Sequence, residues 1–145
     1  MKIVISSHPR LLHILRGVVT YRAQHAGFTP ADVDSMTVAI SEAAANVIRH
    51  AYKDRHDGFL ALEILTLPDR MEFILEDSAP KVQPEAIRSR PLDEIRPGGL
   101  GTFFMNSYMD KCTFDEHFAK GNRLIMVKYL RGKASTNDES RSTKH

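Results

Sequence analysis

The sequence predicts an α+β fold: an α/β sandwich in which a mostly antiparallel sheet is covered by helices on one face. Two pairs of strand-like segments carry this prediction. Residues 59–67 (FLALEILTL) and 70–77 (RMEFILED) are separated only by a Pro-Asp turn, which is typical of a hairpin. Residues 111–118 and 122–130 flank Lys120 and Gly121 in the same way. Strands joined by such short connections pair in antiparallel fashion.

Two helices are predicted between a first short strand, residues 2–6, and the first hairpin. From residue 9 to about residue 24, leucines and valines recur at spacings of three and four, which indicates an apolar helix face. A longer helix is predicted from residue 30 to about residue 52. Thr29 is a preferred N-cap residue and Pro30 suits the first helical position, so the start of this helix is well marked.

Composition limits the classes of partner and the cellular compartment. The 145 residues suit one domain, expected over residues 1–130, followed by a polar, disordered tail over residues 131–145. A formal net charge of +2 does not indicate direct nucleic-acid binding, and no apolar run reaches the ~20 residues of a membrane helix. The only cysteine, Cys112, leaves no internal disulfide. We therefore expect a cytoplasmic protein without a membrane partner.

Two polar residues share one face of the longer helix. Glu42 and Asn46 are four residues apart in SEAAANVIRHAY, and small alanines surround them. A carboxylate beside a carboxamide offers a general base and an oxygen ligand of the kind that Mg²⁺ prefers. A solvated helix face explains the same pattern and is the favoured interpretation of this segment alone.

Asp77 ends the strand of residues 70–77 and continues its apolar face by the period of two. A carboxylate in that position needs a hydrogen-bond donor, because an unpaired buried carboxylate is costly. The donor is either a backbone N–H group or the amino group of a ligand.

A glycine-rich segment follows a long, proline-containing loop over residues 78–97, of a length that is usually functional or mobile. Its residues are Gly98, Gly99, Leu100, Gly101 and Thr102. Glycines permit close backbone approach, and the N–H groups that open the helix predicted over residues 100–109 favour an anion. The segment lacks the lysine of a Walker loop. A hinge for the preceding loop explains it equally well.

The order of these features resembles the histidine-kinase-like (Bergerat-fold) ATPases. It consists of Glu-x-x-x-Asn on a long helix, a strand that ends in Asp, and a loop that closes on GGLG before a helix. Within that group, SEAAANVIRHAY, GGLGTFFMNSYMD and the closing VKYL resemble the anti-sigma-factor serine kinases, over about residues 8–130. The resemblance implies a homodimeric kinase that uses ATP and Mg²⁺. It would phosphorylate a small anti-anti-sigma factor on serine and sequester a sigma factor.

The resemblance also implies a role for each candidate residue. Glu42 matches the general base and Asn46 matches the residue that holds Mg²⁺ on the phosphates. Asp77 matches the carboxylate that receives the adenine amino group. The segment 98–102 matches the lid and phosphate-binding turn, and Arg16 matches an arginine of the first helix near the surface used by protein partners.

Two positions depart from the family pattern. Ala79 stands where the family has a glycine, and its added methyl group restricts the backbone and would crowd a bound base. Asn122 follows Gly121 where the family has threonine, and it keeps hydrogen-bonding ability. These departures leave an alternative open: a nucleotide-gated anti-sigma binding module with little or no kinase activity. The detached ATP-binding domain of a histidine kinase is disfavoured.

Overall fold

A computed structural model describes residues 1–80 and 108–131 of the chain. Within these residues, five strands form one sheet in the order β1-β2-β3-β5-β4, and every neighbouring pair is antiparallel. The elements, in chain order, are β1 (Lys2–Ser6), α1 (Leu12–His25), α2 (Pro30–Asn46), β2 (Phe59–Leu67), β3 (Arg70–Asp77), β4 (Lys111–Phe114) and β5 (Asn122–Tyr129). The predicted α+β class and both predicted hairpins are confirmed.

Both predicted helices are present, and each has one irregular end. A 3₁₀ turn, Pro9–Leu11, precedes α1. The Oγ1 atom of Thr29 accepts a hydrogen bond of 3.2 Å from the N–H of Asp32, so Thr29 caps α2 as predicted. At its other end α2 does not continue as a regular α-helix but passes into a π-helical turn, Val47–Ala51. Such turns are frequent at functional sites, and this one begins directly after Asn46.

The hydrophobic core lies between the two helices and one face of the sheet. Alternate residues of β3 are buried, as the period of two predicts, and their neighbours are half-buried. The largest fully buried side chains come from both helices, the π-helical turn and the three central strands; they include Leu15, Met36, Ile40, Ile48, Leu62, Ile64, Met71, Phe73 and Met126. The helices therefore cover a single face of the sheet.

Several predicted segments lie outside the described residues. They are most of the loop 78–97, the glycine-rich segment, most of the helix predicted over 100–109, and the tail beyond Arg131. Cys112 is half-buried and packs against the core. None of the described helices is long and apolar enough to span a membrane.

Candidate functional site

Asp77 lies at the end of the central strand β3, between two partner strands. It is opposite Leu60 of β2 on one side and opposite Asn122 of β5 on the other. Only 2% of its surface is exposed. Its Oδ1 atom accepts hydrogen bonds of 2.9 Å from the backbone N–H of Ala79 and from the Nδ2 atom of Asn122. The buried carboxylate predicted from the alternation of β3 is thus held by neutral amide donors of Ala79 and Asn122.

These donors reduce, but do not cancel, the cost of burying the charge of Asp77. Burial raises the pKa of the carboxyl group above its ordinary value, while hydrogen bonds from Asn122 and Ala79 lower it. In the described part of the chain, no salt bridge is made by this carboxylate. A ligand that supplies one more N–H donor would therefore be bound favourably.

Gly121 allows β5 to begin close to the end of β3. Its φ angle is +145°, and a Cβ atom built on it would lie 1.9 Å from the main-chain oxygen of Asp77. Because that neighbour is backbone, no side-chain rotation could relieve the overlap. Only glycine permits the approach that brings Asn122 to the carboxylate. Sequence reasoning placed Gly121 in the turn of the hairpin but did not include it in the site.

Ala79 packs its methyl group into a small apolar cluster of its own. It is 3% exposed and contacts Ala51 and Tyr52, with Val47 beside them. The residue that departs from the family pattern is therefore accommodated against the π-helical turn. The same contact connects the Asp77 end of β3 with the helix segment that follows Asn46.

Glu42 and Asn46 occupy one face of α2, but their exposure differs. Asn46 is only 9% exposed, so the interpretation of a fully solvated face does not describe it. The side chain of Glu42 is 37% exposed, and its Oε2 atom lies 3.8 Å from the Nη2 atom of Arg49. At that distance and exposure the ion pair is weak, and the carboxylate is accessible to a partner.

Arg16 lies on the outer surface of α1 and reaches α2. Its Nη1 atom donates a hydrogen bond of 3.0 Å to the Oγ atom of Ser41, the residue before Glu42. The predicted partner-binding arginine of α1 therefore bonds to the residue that precedes the predicted base in α2.

The donors for a metal are few in the described residues. These residues contain no group of three or more His, Cys, Asp or Glu side chains that could hold a metal ion. The side-chain amide of Asn46 has a single hard oxygen. Mg²⁺ is commonly bound by one or two protein oxygens together with substrate phosphates and water, so the residues present fit Mg²⁺ delivered with a nucleotide.

Comparison with protein families agrees with this arrangement. Residues 5–128 match the family described as the histidine kinase-like ATPase domain. The match covers most of the chain, and the chain belongs to this family of ATPases.

Named relatives define the class more narrowly. The serine-protein kinase RsbW of Halalkalibacterium halodurans is 30% identical over 138 residues, which cover 90% of this chain and 83% of the relative. The protein of the same name from Bacillus subtilis is 27% identical, with 92% and 88% of the two chains covered. That of Bacillus cereus is 32% identical, with 86% and 81% covered. The chain is similar to these serine-protein kinases over most of its length.

Proposed function

We propose that this protein is an ATP-dependent protein serine kinase that phosphorylates a small anti-anti-sigma factor and sequesters a sigma factor. The observation that carries the proposal is the carboxylate of Asp77, buried at the end of β3 and held by amide donors. Ala79, two residues after Asp77, packs against the π-helical turn that follows Asn46. Similarity to named serine-protein kinases over most of the chain supports the same function.

Adenine recognition is assigned to Asp77. An exocyclic amino group is an N–H donor, and a buried carboxylate that lacks a cation accepts such a donor strongly. Ala79 and Asn122 hold the Oδ1 atom, which fixes the orientation of the carboxyl group before a nucleotide arrives. This preorganisation avoids an ordering cost on binding. The phosphate-binding role of Gly98, Gly99, Leu100, Gly101 and Thr102 remains part of the proposal.

Glu42 is assigned as the general base that accepts the proton of the substrate serine. The carboxylate is exposed enough to meet a hydroxyl group from another protein, and its ion pair with Arg49 is loose. Phosphoryl transfer depends mainly on positioning and on charge neutralisation, so one base and a well-held nucleotide suffice. Asn46 would hold Mg²⁺, which neutralises charge on the phosphates when it is bound.

The partner surface is assigned to the outer side of α1 and α2 around Arg16. Its guanidinium group is exposed and is held by Ser41, next to Glu42. A protein that contacts Arg16 would also meet Ser41, the residue that precedes Glu42 in α2. Three large apolar side chains are exposed on the sheet face opposite the helices: Val4, Phe59 and Leu65. Exposed apolar surface of this kind fits an interface with a second copy of the chain, as in a homodimer. We further propose a cytoplasmic location, without direct nucleic-acid or membrane contacts.

Mass spectrometry tests the proposed activity directly. The protein is incubated with Mg-ATP and a recombinant anti-anti-sigma factor from the same organism, and the mass of that factor is measured. We expect the mass to increase by one phosphoryl group, located on a serine, and the increase to disappear with Glu42→Gln. An unchanged mass, together with normal ATP binding, would instead indicate a nucleotide-gated binding module.

A further inference from the structure

The hydroxyl group of Tyr52 lies between two strands at the Asp77 end of the sheet. It accepts hydrogen bonds from the backbone N–H groups of Ser78, at 2.9 Å, and Phe59, at 3.3 Å. It donates to the carbonyl oxygen of Phe59 at 2.7 Å. A phenol has one proton to donate and two lone pairs to accept with, so these three bonds satisfy it. Tyr52 is 4% exposed, and no water is needed to complete the set.

The position of this hydroxyl in the sheet determines where the β2–β3 ladder ends. The last pair of that ladder is Leu60 with Asp77, so Phe59 and Ser78 would form the next one. The hydroxyl group is inserted between them and takes the hydrogen bonds that a further pair would exchange. The chain after Asp77 is consequently fixed without continuing as a strand. It turns so that the N–H of Ala79 bonds back to the Oδ1 atom of Asp77.

The ring of Tyr52 is confined on several sides, so its hydroxyl group has one available position. Ala79 and Ala51 pack against it. At Gly58 a Cβ atom would lie 2.3 Å from the Cε1 atom of the ring, so glycine is needed for the ring to fit. Ser7 holds Gly58 from the other side, since its Oγ atom accepts a 3.1 Å hydrogen bond from the Gly58 N–H.

We propose that Tyr52 is a positioning residue for adenine recognition: its hydroxyl group fixes residues 78 and 79 so that the Asp77 carboxylate is held in the orientation that accepts the adenine amino group. This inference rests on the proposed function of Asp77. Tyr52 acts through the backbone of Ser78 and Ala79 and does not itself contact the nucleotide. Its effect should therefore be specific to the exocyclic amino group and should not extend to the phosphates.

The test compares ATP with inosine triphosphate, which has a carbonyl oxygen in place of the adenine amino group. Binding of each Mg-nucleotide to the full chain is measured by calorimetry. The unsubstituted protein should bind ATP at least about tenfold more tightly, as expected for one hydrogen bond to a charged group. Asp77→Asn should abolish this preference. If the unsubstituted protein binds both nucleotides equally, Asp77 is not the adenine acceptor, and both the assignment and the inference are wrong.

Tyr52→Phe removes only the hydroxyl group and should reduce the preference for ATP by about three- to tenfold, while the affinity for inosine triphosphate changes little. The control is Tyr21→Phe on the exposed surface of α1, where 58% of the residue is accessible and the preference should not change. A folded Tyr52→Phe protein with the full preference would overturn the inference and leave the role of Asp77 intact. An equal loss of affinity for both nucleotides would also overturn it.

Two further measurements keep the test independent of the stability of Tyr52→Phe. Gly58→Ala displaces the ring by another route and should reduce the preference in the same way. Hydrogen exchange on the unsubstituted protein needs no variant. The N–H of Ser78 should exchange slowly because the Tyr52 oxygen accepts from it. Exchange at the rate of an unstructured amide would show that this hydrogen bond does not hold the segment.

Discussion

Replacing Gly121 with alanine would put a methyl group 1.9 Å from the main-chain oxygen of Asp77. Two costs follow. The φ angle of +145° is strained for any residue other than glycine, by about 1–3 kcal/mol. Relieving the overlap requires the ends of β3 and β5 to separate, and overpacking of this kind costs a further ~1–3 kcal/mol. We therefore expect Gly121→Ala to lower the free energy of unfolding by about 2–6 kcal/mol.

The separation should also affect the nucleotide site. Moving the first residue of β5 away from β3 lengthens the 2.9 Å hydrogen bond between Asn122 and Asp77. ATP affinity should fall together with stability. Urea denaturation followed by circular dichroism gives the first quantity, and calorimetry at a temperature where the variant is folded gives the second.

Gly17→Ala is the matched control for Gly121→Ala. Gly17 is exposed within α1, and a Cβ atom there would meet nothing within 4 Å. The same substitution in a helix should raise stability by about 0.5–1 kcal/mol, because alanine loses less chain entropy than glycine. If Gly17→Ala behaves as expected but Gly121→Ala changes stability by less than ~0.5 kcal/mol and binds ATP normally, the close approach at Gly121 does not constrain the site.

Three other substitutions separate stability from activity. Asp77→Asn should weaken ATP binding, measured by calorimetry, by about 1.5–3 kcal/mol. Its stability in urea denaturation at neutral pH should be maintained or raised, because the amide oxygen can still accept hydrogen bonds from Ala79 and Asn122 and no charge is buried. Glu42→Gln should leave folding and sigma-factor binding unchanged, while phosphorylation of the anti-anti-sigma factor, followed by mass spectrometry, falls by about 10²–10⁴-fold. Ala79→Gly removes a methyl group packed on Tyr52 and should cost about 1 kcal/mol in urea denaturation, with no gain in ATP affinity.

The raised pKa of Asp77 predicts how the difference in stability between Asp77→Asn and the unsubstituted protein depends on pH. In the folded protein this carboxyl group holds its proton to a higher pH than in the unfolded chain, where its value is near 3.8. Its contribution to stability is therefore fully present below about pH 3.8 and is lost as the pH rises through the folded-state pKa. The difference in unfolding free energy between Asp77→Asn and the unsubstituted protein should grow across that window. A difference that stays constant with pH would show that burial does not raise the pKa of this carboxyl group.

Each of the other two predictions has an outcome that contradicts it. If Glu42→Gln phosphorylates at the normal rate, another residue is the base. If it also loses sigma-factor binding, Glu42 has a structural role and the catalytic assignment should be withdrawn. Tighter ATP binding by Ala79→Gly would mean that the methyl group crowds the base after all.

The sequence alone determined those features that depend on neighbours along the chain. Thr29 predicted the start of α2, because an N-cap side chain bonds to an N–H only three residues away. The alternation of β3 placed Asp77 on the buried face, because successive residues of a strand point to opposite sides. Spacing by four put Glu42 and Asn46 on one face of a helix.

The tertiary structure decided which distant residues complete the site. Asn122 meets Asp77 across 45 residues, and this pairing depends on the register of β3 with β5. The hydroxyl group of Tyr52 reaches Ser78 across 26 residues. A hydrogen bond between remote residues depends on how whole strands and helices pack, and local sequence carries no record of that packing. Gly121 illustrates the difference, because its glycine predicts a turn, whereas only the adjacent strand shows why no other residue fits.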